Sequence, residues 1–531
     1  MNCNTTQLPY VATGSFSKIV TDYLQQSPSI RPFYQYEPTL QGIKDAILQR
    51  QQLPQHRGVL TTALKQQYTG IDTHEAVTNN MALLDKENTF TITTAHQPAI
   101  FTGHLYFIYK TLHTVRLAAQ LKQDLPQYNF VPVFWIGSED ADLDELGNIW
   151  LSGDKLVWDT KQTGAVGRMN TKGLETLVHR IEGELSIQPH GKELVQLLKD
   201  CYLNSNDVQT ATFKLLNALF GEYGLIVLLP DQADLKRIML PVFEDDLFNQ
   251  TPSSIVEKTI ERLGENYKVQ ANPRAINLFY LEGGIRERIE KQGEEWVVVG
   301  QDIRFTAASL KQELQEHPER FSPNVILRGI YQETLLPNIA FIGGGGETAY
   351  WLELKELLAH YKVSYPVLVL RNSFLIVEEK WEEKIEKLGF GIGDFFQTEQ
   401  QLLTSLVTRH SNGHLKLENE LQAAEELYKR LREKAGHIDE TLVPHIEALE
   451  IKTLKPLQEL EKKMLRAEKK KYENEQHQIN AIKAALFPAG GLQERVENFL
   501  PYYALWGPAF IRCIYNASLA LEQEFVIVHQ K

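Results

Sequence analysis

Thr89-Phe-Thr-Ile-Thr-Thr-Ala-His96 is a β-branched run that stops at Gln97-Pro98, and the residues after it decide the fold. Phe101 to Leu121 carries apolar residues at helical spacing. Tyr128 to Ile136, ending Val-Pro-Val-Phe-Trp-Ile, then reads as a second strand whose unbroken apolar character suits a parallel sheet covered on both faces. Strand, turn, helix, strand is the first half of a βαβ fold. Gly224-Leu-Ile-Val-Leu-Leu-Pro230, Asn338-Ile-Ala-Phe-Ile342 and Pro366-Val-Leu-Val-Leu370 repeat the short, bounded apolar form with helix-compatible segments between them. A doubly wound α/β sheet is the economical assembly.

Two stretches of different texture interrupt these strands. Leu151 to Leu219 is turn-rich and then helical, and Asn277 to Thr306 is punctuated by Gly283-Gly284, Gly293 and Gly300 in the manner of β-ribbons. Both are expected to cap the carboxyl edge of the sheet. From about Leu415 to Leu486 the chain turns rich in Glu, Lys, Leu and Ala, with Leu427, Leu431, Ile446, Leu449, Leu457, Leu460 and Met464 at three- and four-residue spacing. Gly436 with Asp439 predicts a break and Pro456 a kink or a new helix start, so an antiparallel helical arm is expected. Its Lys469-Lys470-Lys471 cluster reads as a solvated face.

A chain of 531 residues exceeds one hydrophobic core, and roughly 150 residues per domain suggests two to four modules. Three cysteines, Cys3, Cys201 and Cys513, are too few for a disulfide framework, which fits a reducing cytoplasm. No basic leader and no apolar run of about 18 residues is present, so neither a signal peptide nor a membrane span is expected. A net charge of −13 disfavours a nucleic-acid partner.

Four constellations can carry chemistry. Thr94-Ala-His-Gln-Pro-Ala-Ile-Phe-Thr-Gly-His104 sits where the first strand hands over to a helix, whose free amides suit phosphate or carboxylate, with His96 and His104 as further donors. Thr102 capping the helix is the bland alternative. Trp135-Ile-Gly-Ser-Glu-Asp-Ala-Asp-Leu-Asp-Glu145 is an acidic loop at the end of the next strand. Its Glu139, Asp140 and Asp142 can receive an ammonium group or sugar hydroxyls, while Asp144 and Glu145 suit helix capping. Gly343-Gly-Gly-Gly346 between a strand and a helix lets backbone approach a ligand, although it lacks the Lys-Ser/Thr ending of a P-loop and also reads as a bare turn. Arg371, in Leu370-Arg-Asn-Ser373, can pair with a carboxylate or phosphate, or form a structural ion pair. No His/Cys cluster has the spacing of a closed zinc site, so no metal site is predicted.

Six ordered blocks together carry a resemblance. They are His96-Gln-Pro-Ala-Ile-Phe-Thr-Gly-His-Leu-Tyr106, Val131 to Asp140, Leu336-Pro to Tyr350-Trp351, Leu370 to Ser373, the helical arm, and Leu492-Gln-Glu-Arg-Val-Glu-Asn-Phe-Leu-Pro501 with Trp506-Gly-Pro508. Over essentially its full length the chain resembles the cysteine-adding enzymes of bacillithiol biosynthesis. The resemblance implies a Rossmann-type core with two connecting-peptide insertions and a coiled-coil arm, distantly similar to class I aminoacyl-tRNA synthetases. The division is then 1–150, 220–270 and 321–410 for the core, 151–219 and 271–320 for the insertions, 411–487 for the arm, and 488–531 for a C-terminal segment packing on the core. The His-x-Gly-His signature of the synthetases falls on Phe101-Thr-Gly-His104, with Phe101 in place of the first histidine, and no Lys-Met-Ser-Lys-Ser-like loop is evident.

The resemblance further implies amide ligation of L-cysteine to glucosaminyl-malate, with ATP as the inferred activator of the cysteine carboxylate, magnesium accompanying the nucleotide, and a homodimer formed through the arm. On this reading His96, Thr102, Gly103, His104 and Asp140 carry the chemistry. Gln97, Trp135, Glu139, Asp142, Glu347, Arg371, Asn372 and Ser373 bind substrate, and Gly343, Gly344, Gly345 and Gly346 face the nucleotide. The rival reading is a non-catalytic nucleotide- or thiol-sensing scaffold that docks partners through the arm.

Overall fold

Five parallel strands build the central sheet: Thr89–His96, Asn129–Ile136, Ile226–Leu228, Asn338–Gly343 and Val367–Leu370. The computed structural model describes residues 3–411 and 416–530. Across the sheet the order is 367–370, 338–343, 89–96, 129–136, 226–228, every neighbour parallel. The first strand is thus central, the next two extend one side and the last two the other. The winding reverses between Thr89–His96 and Asn338–Gly343, and at such a switch point the loops leave a crevice beyond the carboxyl ends.

Both faces are covered, as the apolar strands require. Phe90, Ile92, Ile339, Ile342, Val367 and Val369 pack with Leu117 and Leu121 of helix Tyr106–Asp124; burial of each such side chain contributes about 1.5–3 kcal/mol. At the amino edge a closed polar network replaces apolar packing. Arg50 donates through Nε to the Asn338 carbonyl (3.0 Å) and through Nη2 to the Glu333 carboxylate (3.1 Å), and Asn338 donates to Glu333 (2.7 Å) while accepting from Thr93 (2.8 Å).

The helix expected from Phe101 begins five residues later, at Tyr106. Phe101, Thr102 and Gly103 have φ of +48°, +68° and +62°, a left-handed run that no α-helix contains. Distant groups hold it: Tyr202 Oη accepts from the Phe101 amide (2.8 Å), and Asn498 Nδ2 donates to the carbonyls of Phe101 (3.0 Å) and Gly103.

Between strands Asn129–Ile136 and Ile226–Leu228 lie helices Leu174–Leu185, Gly191–Leu198 and Val208–Phe220. Between Ile226–Leu228 and Asn338–Gly343 lies an antiparallel sheet in the order 304–306, 295–298, 285–292, 278–282, 321–323, turning at Gly283 and Gly293 where φ is positive. Strands Cys3–Pro9 and Glu524–Gln530 pair antiparallel.

The chain divides into two units, 1–375 with 492–531, and 376–491. The second is helical, and Glu418–Ile438 and Val443–Lys469 form its antiparallel hairpin, tied by Arg432 to Glu450 (3.3 Å) and by Tyr428 to Thr453 (2.6 Å). The break falls at Asp439, whose carboxylate accepts from the Thr441 amide. Pro456 lies inside the second helix rather than starting a new one; Lys452, four residues earlier, is exposed, so water can meet the carbonyl that proline leaves unbonded. Leu415, where the arm is expected to begin, lies outside the described residues. Among the described residues no helix is long and apolar enough to cross a membrane.

Candidate active site

The crevice at the switch point is a cavity of about 350 Å³. One wall is the end of strand Thr89–His96, with Ala95, His96 and Gln97; the opposite wall is the turn Gly344–Gly346 with Glu347. Trp135, Glu139 and Asp140 come from the end of Asn129–Ile136, and Arg371 from the end of Val367–Leu370. Three arginines complete the lining: Arg286 from strand Ile285–Gln292, Arg328 from helix Val325–Leu335 and Arg495 from the short turn Gln493–Arg495.

Beneath the floor Lys110 is fully buried. Its Nζ donates to the Ala95 carbonyl (2.5 Å) and to Glu347 Oε2 (2.7 Å), and that oxygen also accepts from the Gly344 amide (2.8 Å). Burial opposes the charge on Glu347, but the Lys110 cation and the Gly344 amide hold its carboxyl below the usual range. His96 is pushed down to about 4 by burial first and the Lys110 cation second, so it is neutral at neutral pH. With Nδ1 donating to the Gln97 carbonyl (3.0 Å), its Nε2 accepts from Tyr106 Oη (3.2 Å). Burial pushes the Tyr106 phenol up to about 12, which keeps it a donor. The Arg371 guanidinium lies over the Tyr106 ring at 4.9 Å.

Charge is unevenly spent here. Glu139 is held by the buried Lys236, which also bonds Asp231 (3.1 Å), and burial raises the Glu139 carboxyl against that pull. Arg371 bonds Glu494 (2.7 Å) and Ser373 (3.2 Å). Gln97 donates to Asp140 (3.0 Å), and Arg286 stands 3.9 Å from the same carboxylate. Arg328 donates to two neutral partners, Tyr350 Oη (2.5 Å) and Gln332 Oε1 (3.2 Å). Among the described residues neither Arg328 nor Arg495 has a carboxylate within ion-pair distance, so two cations face the cavity without a direct counter-ion.

The structure therefore brings together His96, Gln97, Trp135, Glu139, Asp140, Gly344, Gly345, Gly346, Glu347 and Arg371, and leaves the other expected residues outside the lining. Thr102 and Gly103 are buried in the left-handed turn, and His104 bonds the Val496 carbonyl (3.3 Å), because the turn precedes the helix instead of starting it. Asp142 is exposed and caps the short helix Leu143–Leu146, the role expected of its neighbours. Asn372 is buried behind the cavity, taking the Leu519 amide (3.0 Å), Ser373 bonds Glu494 (3.1 Å), and Gly343 ends its strand. Among the described residues no group of three or more His, Cys, Asp or Glu is placed to hold a metal ion. Burial pushes the Cys201 thiol up to about 12, far from a nucleophile's range.

Tyr106, Lys110, Arg286, Arg328, Tyr350 and Arg495 escaped the sequence reading. A lysine on the apolar face of an otherwise core-facing helix was the one local signal available for Lys110, and Arg495 lies within the Leu492–Pro501 block.

The first 372 residues match the family model of the bacillithiol biosynthesis BshC N-terminal Rossmann-like domain, and residues 374–530 match that of its C-terminal coiled-coil domain. A Flavobacterium johnsoniae protein named "Putative cysteine ligase BshC" is 37% identical over 523 residues, covering 98% of this chain and 99% of that protein. One of the same name from Cytophaga hutchinsonii is 39% identical over 490 residues, covering 92% of each. A two-domain match from end to end, with full-length relatives at this identity, shows that the chain belongs to the bacillithiol biosynthesis BshC family.

Proposed function

We propose that the chain is a ligase of the cytoplasm that joins the carboxyl group of L-cysteine to the free amine of glucosaminyl-malate at the switch-point cavity. The observation that carries this reading is the unspent positive charge of Arg328 and Arg495 in a cavity that also holds a neutral imidazole. The two guanidiniums suit the two carboxylates of a malate moiety, and Asp140 suits the amine or hydroxyls of the glucosamine. Forming an amide from a free carboxylate is uphill in water, and ATP supplies the activation when bound. The Gly344–Gly346 backbone and Arg371 fit a polyanion of that kind: the Cβ of an alanine at 344 would stand 3.5 Å from Arg371 Nε, so only a bare backbone leaves that surface open. His96 donates from Nδ1 to the Gln97 carbonyl and accepts at Nε2 from Tyr106, so the proton that the amine gives up reaches it through the Tyr106 hydroxyl, which passes its own proton to Nε2 as it takes up the amine's.

The arm supports a second part of the proposal, a homodimer. Leu427, Leu431, Leu449, Ile451 and Leu460 are exposed on a hairpin that has no buried residue of its own. A sedimentation mass of one chain at micromolar concentration would remove that part.

The ligation is tested by incubating the pure protein with cysteine, glucosaminyl-malate and ATP and following bacillithiol, AMP and ADP by mass spectrometry. Bacillithiol forming only when all three are present is the expected result, and the nucleotide product identifies the activated species. Nucleotide binding without any amide product would favour a sensing scaffold instead.

A further inference from the structure

The hydrogen-bond ladder between the two strands that bound the crevice ends early. Thr94 opposite Ile342 is its last pair, and the Thr94 hydroxyl donates to the Ile342 carbonyl (2.8 Å) at the same level. Ala95-His96 on one side and Gly343-Gly344 on the other continue beyond it, and these ends carry the cavity's walls. Lys110 reaches across just past that last rung. Its ammonium takes the Ala95 carbonyl from one strand end and Glu347 from the other, and Glu347 in turn fixes the Gly344 amide.

We propose that Lys110 is a positioning residue for the ligation: it braces the ends of the two central strands beyond their shared ladder and so fixes the distance between His96 and the glycine turn. The proposal rests on the ligase reading for its kinetic consequence, but the brace itself is independent of it.

Stability alone does not account for a charge at this place. Lys110 is fully buried between its helix and the sheet, on a helix whose Phe107, Thr111 and Thr114 are buried too, and there an aliphatic side chain would pack without desolvating an ammonium. Replacing a buried ion pair by apolar groups of similar size is often neutral or stabilising. What methionine cannot reproduce is a donor shared by two chain segments that no ladder bond joins. Reacting groups must be held close to their productive separation, and a shift of about 1 Å costs on the order of a hundredfold in rate.

The test uses the full-length chain and three variants: Lys110→Met, the paired Lys110→Met/Glu347→Gln, and Lys110→Arg. Hydrogen exchange followed by mass spectrometry reads the brace directly. In Lys110→Met the segments around 95–97 and 343–347 are expected to exchange at least about tenfold faster, while the amino end of the first strand, Thr89 to Ile92, keeps its parental rate. Kinetics with glucosaminyl-malate as the varied substrate are expected to show kcat about a hundredfold lower with KM changed less than about threefold, because positioning rather than binding is lost. Lys110→Arg, which keeps a cation at the site, is expected to recover at least about tenfold of that kcat.

The paired variant removes both charges and guards against a folding defect caused only by the orphaned carboxylate. Its kcat should stay low although its melting temperature returns toward the parent's. Parental exchange at both cavity walls in Lys110→Met would overturn the brace. Accelerated exchange in Lys110→Met, together with a parent that forms no bacillithiol, would leave the brace standing and sink the ligase reading instead. A folded paired variant with parental kcat would overturn the positioning role.

Discussion

The two edges of the central sheet each pair a buried cation with a carboxylate, and they use the pair in opposite ways. At the amino edge Arg50 and Glu333 close on Asn338, Thr91 and Thr93, so donors and acceptors answer one another within the protein. At the carboxyl edge Lys110 and Glu347 lie under a cavity whose wall carries Arg328 and Arg495 without a carboxylate. Closure makes the first edge a piece of architecture. The surplus at the second, with a neutral histidine beside it, makes a place where an anionic ligand completes what the chain leaves open.

The sharpest way to break this comparison is to remove one arginine from each edge. Arg328→Ala should lower kcat/KM for glucosaminyl-malate by about a hundredfold or more, since a charge-assisted contact to ligand is lost, yet shift stability by only about 1 kcal/mol for its bond to Tyr350. Arg50→Met should do the reverse. It leaves Glu333 buried and unpaired, a loss of about 3–5 kcal/mol, while turnover per folded molecule stays at the parental value. Thermal melts and steady-state kinetics on both proteins decide it, and parental turnover in Arg328→Ala would show that its charge serves the fold.

A smaller effect separates two histidines that the sequence places in one motif. His96 lines the cavity and His104 bonds the Val496 carbonyl outside it, so His96→Ala should cut kcat about a hundredfold and His104→Ala less than about threefold. The pH dependence sharpens this. His96 has a folded-state value near 4, below its ordinary 6.5, so it stays neutral as pH falls through 6. Any stability that its neutral state confers is present above about 6.5 and is lost as pH falls toward 4, because the unfolded chain takes up the proton first. In a His96→Gln protein the melting temperature should therefore decline less steeply between pH 6.5 and 4 than in the parent. Identical slopes would mean that His96 is not held neutral.

Much of the sheet was legible because parallel strands buried on both faces write themselves as short apolar runs, and Thr89–His96 and Asn129–Ile136 end where turn residues say they should. The glycine turn and the acidic loop were legible for the same local reason: both follow strands at the edge where such sheets bind ligands. The left-handed run at Phe101 and Thr102 was not, because helical spacing predicts the opposite and the groups that override it, Tyr202 and Asn498, are 101 and 397 residues away. Arg286, Arg328 and Arg495 were missed for a related reason. They come from three separate elements, Arg286 sharing its strand with Arg288 and Lys291, and within each element an arginine carries no mark of a site; only the fold brings the three to one cavity.

The smallest effect concerns the glycine turn, where sequence alone does not say which of the four glycines faces a ligand. The backbone narrows the choice. Neither Gly344 nor Gly345 has a positive φ, so alanine is not strained at either, and what differs is where the added methyl lands. At 345 it would meet Val20 Cγ2 at 3.1 Å, inside the protein; at 344 it would rest in ordinary contact, 3.5 Å from Arg371 Nε and 3.6 Å from Glu347 Oε2, on the cavity's own surface. Gly344→Ala should accordingly fold as the parent does and weaken one ligand about tenfold, roughly the effect of one misplaced methylene in a pocket. Gly345→Ala should lose a few tenths to about 1 kcal/mol of stability with its affinities kept. Gly391, with ordinary backbone angles and its nearest neighbour, Asp394, at 3.8 Å, is the reference that should change neither. Titration calorimetry with ATP and with glucosaminyl-malate separately tells which ligand meets the turn. Parental affinity for both in a folded Gly344→Ala protein would reduce the turn to a bare connection and leave the arginines as the whole of the binding surface.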